Sequence, residues 1–339
     1  MKMITLDGVI IRYVLSTQNR PANRMKRGII MSSAGTGKPS KAALVFAYLM
    51  VYIIWGSTYL GIRFSVETIP PFFSGGARFL CAGTILFVLR SVMSGYRTAA
   101  EGWKNAFYAS LLPFVVSYGL ITTAETVVPS SIAALLVALE PLWFCLIGWL
   151  FFKGARPSGS HYAGIVLGFL GIFFLVAGDP NADFSFESGY IIWVMMLILS
   201  GVTWVTGAFI SKNPRIHEDL LMSSGMQMMC GGAVMMLIHF MISAFTGNYR
   251  SMASFSSRSL LALIYLIIFG SLVAYSSFLW LMRVQPANRV ATHAFVNPVV
   301  AVFLGWFLGG ERLTMSMLIA TPLIVASVIL LIRDPRRDK

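Results

Sequence analysis

The sequence predicts an all-α integral membrane protein with ten transmembrane helices in two inverted five-helix repeats. Three observations carry this. Charged residues are only 12% of the 339-residue chain and hydrophobic ones 57%, whereas a soluble surface of this size needs about a quarter charged. Ten apolar stretches reach the length that a bilayer demands. The second half of the chain repeats landmarks of the first.

A spanning helix needs about 20 mostly apolar residues. The qualifying stretches run near 42–64, 72–92, 104–124, 129–152, 161–178, 189–210, 220–244, 260–282, 290–309 and 315–332. Short breaks rich in turn and helix-start residues separate them, as at Pro70-Pro71, Pro129-Ser130-Ser131, Pro157-Ser158-Gly159 and Asp179-Pro180-Asn181. No break has room for a soluble domain. The expected organisation is a basic cytoplasmic arm over residues 1–40, one five-helix unit over 41–183, a second over 184–333, and a short cytoplasmic tail over 334–339.

The net charge of +13 does not point to nucleic acid, because the basic residues lie in the breaks between apolar runs and form no patch on a polar domain. Their distribution sets an orientation. With both termini in the cytoplasm, the inside segments hold 21 Lys or Arg, eight of them in the arm and Lys41. The outside segments hold four: Arg63, Arg250, Arg258 and Arg312. The acids Asp179, Asp183 and Glu187 also fall outside. Cys81, Cys145 and Cys230 sit inside apolar runs and read as packing residues. Ser32–Lys41 (SSAGTGKPSK) resembles a phosphate loop only superficially. It lacks the first glycine, and Pro39 stands where a Ser or Thr should be.

A shift of 157 residues superposes Tyr118 on Tyr275, Pro129 on Pro286, Pro141 on Pro298, Gly148 on Gly305 and Trp149 on Trp306. A shift of 149 matches Gly76, Cys81 and Gly83 to Gly225, Cys230 and Gly232. A shift of 145 matches Gly56 and Thr58 to Gly201 and Thr203, with Tyr59 opposite Trp204. Each unit has an odd number of spans, so the second must enter from the opposite side. Inverted repeats of this kind suit alternating access around a midplane site.

Four segments, in order, resemble the drug/metabolite transporter superfamily, EamA type: Val51–Gly61 (VYIIWGSTYLG), Pro70–Gly83 (PPFFSGGARFLCAG), Val137–Trp149 (VALEPLWFCLIGW) and Ala294–Glu311 (AFVNPVVAVFLGWFLGGE). The resemblance covers about residues 42–333. It implies ten helices in two inverted repeats around a central cavity open to one side at a time, and a substrate drawn from amino acids, nucleobases, sugars, amines or drugs.

Glu140 is the most informative candidate for substrate binding. A carboxylate in mid-span costs about 3 kcal/mol on insertion scales, so it needs a polar cavity or a partner. Pro141 behind it has no N–H and frees the carbonyl of Val137. Together these groups suit a substrate ammonium or a coupling proton, or else an interhelical hydrogen bond. The repeat sets Asn297 and Pro298 opposite. His293, one turn before Asn297, shares its helix face; it is a cavity group or an interhelical hydrogen bonder. Tyr118 and Tyr275 are symmetric cavity walls or symmetric packing. Trp55, Thr58 and Tyr59 in the first span, with Thr203 and Trp204 in the sixth, form a second such set. Arg78 suits a structural or gating role, with Glu67 and Glu125 as partners. The methionines of the seventh span read as soft packing.

The expected function is a secondary transporter, an exporter of an amino acid or related metabolite, or of a drug, at the inner membrane. No Walker motif supports ATP hydrolysis. No cofactor or metal is expected: the four histidines include no HExxH pair, which also argues against a membrane-embedded enzyme. A channel, the other alternative, usually needs an open ring of subunits. The partners are a small-molecule substrate, the lipid bilayer and, if transport is coupled, protons; nucleic acid is not among them. A homodimer is left open.

Overall fold

The computed structural model describes residues 39–94, 98–152, 156–177, 189–211, 219–247, 254–285 and 287–332. The arm up to residue 38, the tail, and the loop charges Arg97, Lys153, Lys212, Arg215, Arg250, Asp179, Asp183 and Glu187 lie outside them, as does Pro286 of the repeat.

The described residues form helices and connecting turns, with no strand among them. Among the described residues, nine helices are long and apolar enough to cross a membrane: α1 Lys41–Val66, α2 Pro71–Met93, α3 Ala100–Ala124, α4 Ser130–Phe151, α5 Gly159–Ala177, α6 Tyr190–Ile210, α7 Leu220–Thr246, α8 Ser257–Met282 and α10 Met315–Ile332. Between the last two stands α9, the shorter apolar helix His293–Phe307, preceded by one turn at Ala287–Val290.

Large apolar side chains such as Val92, Phe151, Phe173, Phe245 and Met315 stand mostly exposed on the outer faces. In water such a surface would aggregate; in lipid it is the solvated face. Polar side chains turn inward and pair there, as Ser65 does with Ser74 at 2.7 Å.

Two antiparallel contacts organise the bundle. Along α2 and α7 the glycines replace side chains with backbone. A Cβ on Gly83 would meet the Gly225 carbonyl at 2.8 Å, and one on Gly232 the Gly76 carbonyl at 3.0 Å. Residue numbers rise in opposite directions along this interface. The residues that the 149-residue shift equates therefore face each other crosswise, Gly76 with Gly232 and Gly83 with Gly225. Along α5 and α10, Gly164 lies against Ser327 and Leu331, and Gly171 against Ile324. Small residues allow this approach, and packing then supplies the attraction that lipid-exposed helices lack. Met222, Met226, Met228 and Met235 of α7 are buried and form a core face, with Met235 against Gly75.

Among the described residues, three helices carry π-helical turns: Met50–Trp55 in α1, Leu111–Ser117 in α3 and Leu266–Ala274 in α8. Pro113, inside the second, has no N–H to give the regular ladder. The turns in α3 and α8 end immediately before Tyr118 and Tyr275, the tyrosines that the repeat equates. Such bulges widen a helix and often mark functional positions.

Candidate functional site

The central feature is a break in α4. Helix runs over Ser130–Val137, stops at Ala138 and Leu139, and restarts at Glu140–Phe151. Pro141 explains the stop, because a proline nitrogen cannot bond the carbonyl four residues back. Pro298 of α9 leaves its helix continuous, so the two matched prolines act differently. Burial changes at the same place. Every residue from Ser130 to Leu139 is buried, whereas Glu140, Pro141 and Trp143 to Leu146 are only half-buried. The carboxylate thus stands where a sealed half of the helix gives way to an open one.

Trp55 and Tyr59 stand one turn apart on α1. Tyr59 packs against the core cluster to which α4 contributes most and lies within electrostatic reach of Glu140. Trp55 sits in an aromatic cluster with Phe278 at 4.9 Å, His293 at 5.3 Å and Tyr275 at 6.3 Å between ring centroids. Its indole N–H donates to the Gly270 carbonyl at 3.2 Å. His293 pairs through Nδ1 with the Val290 carbonyl at 2.8 Å, which leaves Nε2 as its other polar atom. Trp55, Tyr275 and His293 are all half-buried, so the cluster offers aromatic faces suited to an organic cation or an apolar side chain.

Asn297 is buried; oriented to satisfy its neighbours, its amide nitrogen donates to the carbonyls of His293 at 3.2 Å and Tyr52 at 3.1 Å. That ties α9 to α1 and spends the amide on backbone. Tyr118 is buried and receives a hydrogen bond from Arg78 Nη1 at 2.6 Å, so the tyrosines matched by sequence have different surroundings. Thr58 donates to the Trp55 carbonyl at 2.6 Å, and Thr203 to those of Leu199 at 2.9 Å and Ser200 at 3.0 Å. Both threonines serve their own helices. Trp204 meets Phe114 edge-on at 6.3 Å. Arg78 is buried and also donates from Nε to Ser271 Oγ at 2.8 Å, so it joins α2, α3 and α8. The carboxylates expected as its partners are not its hydrogen-bond acceptors: Glu67 pairs with Arg258 at 3.5 Å, and Glu125 accepts no hydrogen bond through its side chain from the described residues.

Glu311 ends the fourth family-like segment and has a contact that the sequence alone does not show. Gly309 and Gly310 turn the chain after α9, with Gly310 at φ 67°, and fold Glu311 back onto Gly305. Its Oε1 accepts from the Ser130 amide at 2.7 Å and hydroxyl at 2.6 Å, and its Oε2 from the Ser131 amide at 3.0 Å and hydroxyl. These are the free donors at the start of α4, where the helix dipole favours an anion. The contact ties the turn after α9 to the start of α4. The signal was present as Ser130-Ser131 after a proline and a glycine pair before an acid, but only a folded chain brings the two together.

A cavity of about 430 Å³ is lined in part by Arg63, Glu67, Glu125, Thr126, His239 and Ser243. Arg63 donates to the backbone carbonyl of Glu125. No group of three or more potential metal ligands occurs among the described residues.

The description of the EamA-like transporter family matches residues 42–177 and 191–333, almost all of the chain beyond the arm. The chain belongs to the EamA-like transporter family. It is 34% identical over 286 residues to the uncharacterized inner membrane transporter YedA of Escherichia coli K12, covering 84% of this chain and 89% of that one. It is 23% identical to the uncharacterized transporter YvbV of Bacillus subtilis 168, over 88% and 94% of the two chains. It is also 23% identical to a probable amino-acid metabolite efflux pump of Escherichia coli K12, over 83% and 91%. A solved crystal structure shares the fold with a TM-score of 0.58 at 19% identity, covering 86% of this chain and 96% of that one. As a member of this family the chain is a multi-pass membrane transporter.

Proposed function

We propose that this EamA-family protein is a secondary transporter of the inner membrane that exports a small metabolite, an amino acid or a related amine, by alternating access. The observation that carries the proposal is the broken α4, where Glu140 borders a half-open space beyond a fully buried segment. The carboxylate binds the ammonium group of the solute, or a proton when the solute has left, and the cluster of Trp55, Tyr275, Phe278 and His293 receives its apolar part. Ten spans in two inverted units, begun by a cytoplasmic N-terminus, form the frame. The crosswise glycines of α2 and α7 and the two separate stretches matched by the family description support it. In this orientation α4 begins at the outer face. The Glu311 contact then closes the outer side, and the half-buried end of α4 opens toward the cytoplasm.

Counterflow tests the proposal. Proteoliposomes preloaded with one unlabelled amino acid or amine at a time are diluted into its labelled form. A transporter gives transient accumulation of label that saturates with solute concentration. Flux that never saturates and shows no overshoot would indicate a channel, and chemical conversion without vectorial movement an enzyme.

A further inference from the structure

The outer end of the molecule contains a carboxylate that the site described above does not use. Glu125 follows the last turn of α3 and is fully buried, and neither side-chain oxygen has a hydrogen-bond partner among the described residues. The charged groups facing it bond atoms other than its carboxylate oxygens. Arg63 of α1 gives a hydrogen bond to the Glu125 backbone carbonyl. Arg78 of α2 is held by Ser271 and Tyr118. Glu311 is held by Ser130 and Ser131. Tyr59 and Tyr118 are the remaining titratable neighbours, and Glu67 and His239 share the adjoining cavity. An ionised carboxylate shut away from water without a donor is strongly disfavoured.

We infer that Glu125 is a proton-binding site of the outer gate: it takes a proton from the outer cavity as the gate closes and releases it when the gate opens. This rests on the transport reading and extends it, because the proton here accompanies the gate and not the solute at Glu140. Burial pushes the Glu125 carboxyl well above the usual carboxylate range, the nearby Glu311 charge adds to this, and Arg63 and Arg78 oppose it. The sign follows by linkage. The closed form binds the proton more tightly than an open form in which water reaches the carboxylate, so acidification favours closure and alkalinity favours opening. The Glu311 contact is the mechanical part of the closure and Glu125 its titrating part.

Cysteine accessibility in the full chain tests this without any solute. Val66 lines the same cavity and is buried, whereas Thr126 at its rim is exposed. In a chain freed of native cysteines, the rate at which an impermeant maleimide modifies Val66→Cys is divided by that for Thr126→Cys, which cancels the pH dependence of the thiol itself. The ratio is expected to fall roughly tenfold between about pH 8 and pH 5. Adding Glu125→Gln holds it low at every pH, and adding His239→Gln leaves the fall intact. A ratio that ignores pH with Glu125 present overturns the inference, whether or not the glutamine variant folds. So does a fall that survives Glu125→Gln, or one abolished by His239→Gln. If the pH response is found but no solute shows counterflow, the proton site stands and the transport reading fails.

Discussion

Glu140→Gln is expected to abolish proton-linked solute flux while the protein still inserts and folds. Glutamine keeps the size and a hydrogen-bonding oxygen but can neither ionise nor carry a proton between turns of the cycle. Loss of a charged partner for an ammonium in a partly desolvated site costs about 3 kcal/mol, on the order of a hundredfold in apparent affinity. The flux is read with a pH dye trapped in proteoliposomes and a labelled solute taken from the counterflow screen. The expected result is a solute-driven pH change at background level. The variant should keep the pH response of Val66→Cys labelling, because that belongs to Glu125. Proton-linked flux with unchanged pH dependence in Glu140→Gln would remove this residue from the mechanism.

The second large effect is expected at the crossing of α2 and α7. A Cβ on Gly83 would stand 2.7 Å from the Met229 backbone nitrogen, and one on Gly232 2.6 Å from that of Leu80. Both obstacles are main chain, so relief requires the helices to move apart and not a rotamer change. Overpacking of this kind costs about 1–3 kcal/mol for small additions and more for larger ones. Gly83→Val and Gly232→Val should each lower the apparent melting temperature in detergent and the yield of monodisperse protein, and the pair together should be worse than either. Gly159→Ala is the matched control, since nothing lies within 4 Å of a Cβ there. Wild-type melting of the valine variants would mean that the close crossing contributes nothing to the fold.

Hydrophobic run length made most helices legible in sequence. The stretches at 42–64, 72–92 and 104–124 lie within α1, α2 and α3, because each ends at prolines, charges or turn residues that lipid does not tolerate. The stretch at 290–309 shortens to His293–Phe307, where Thr292 and the Gly309-Gly310 turn bound the helix. Azimuth was far less legible. Span number and depth place Arg78 near Glu67 and Glu125, but only packing turns its guanidinium toward Tyr118 and Ser271. The same holds for Tyr118 and Tyr275, equal in sequence and in the π-helical turns before them, yet one is locked by an arginine and the other stands in an aromatic cluster. Pro141 announces the freed carbonyl of α4. Nothing in the sequence separates it from Pro298, which leaves α9 continuous. The contact of Glu311 with Ser130 and Ser131 joins residues about 180 positions apart, beyond any local pattern.

In the proposed transporter two units threaded in opposite senses enclose the site, and the side of the membrane from which each unit starts can be measured. In a chain freed of Cys81, Cys145 and Cys230, Pro39→Cys precedes the first unit and Ser188→Cys precedes α6 of the second. On intact cells an impermeant maleimide should label Ser188→Cys, and should label Pro39→Cys only after the membrane is opened. Labelling of both positions from the same side would contradict the account.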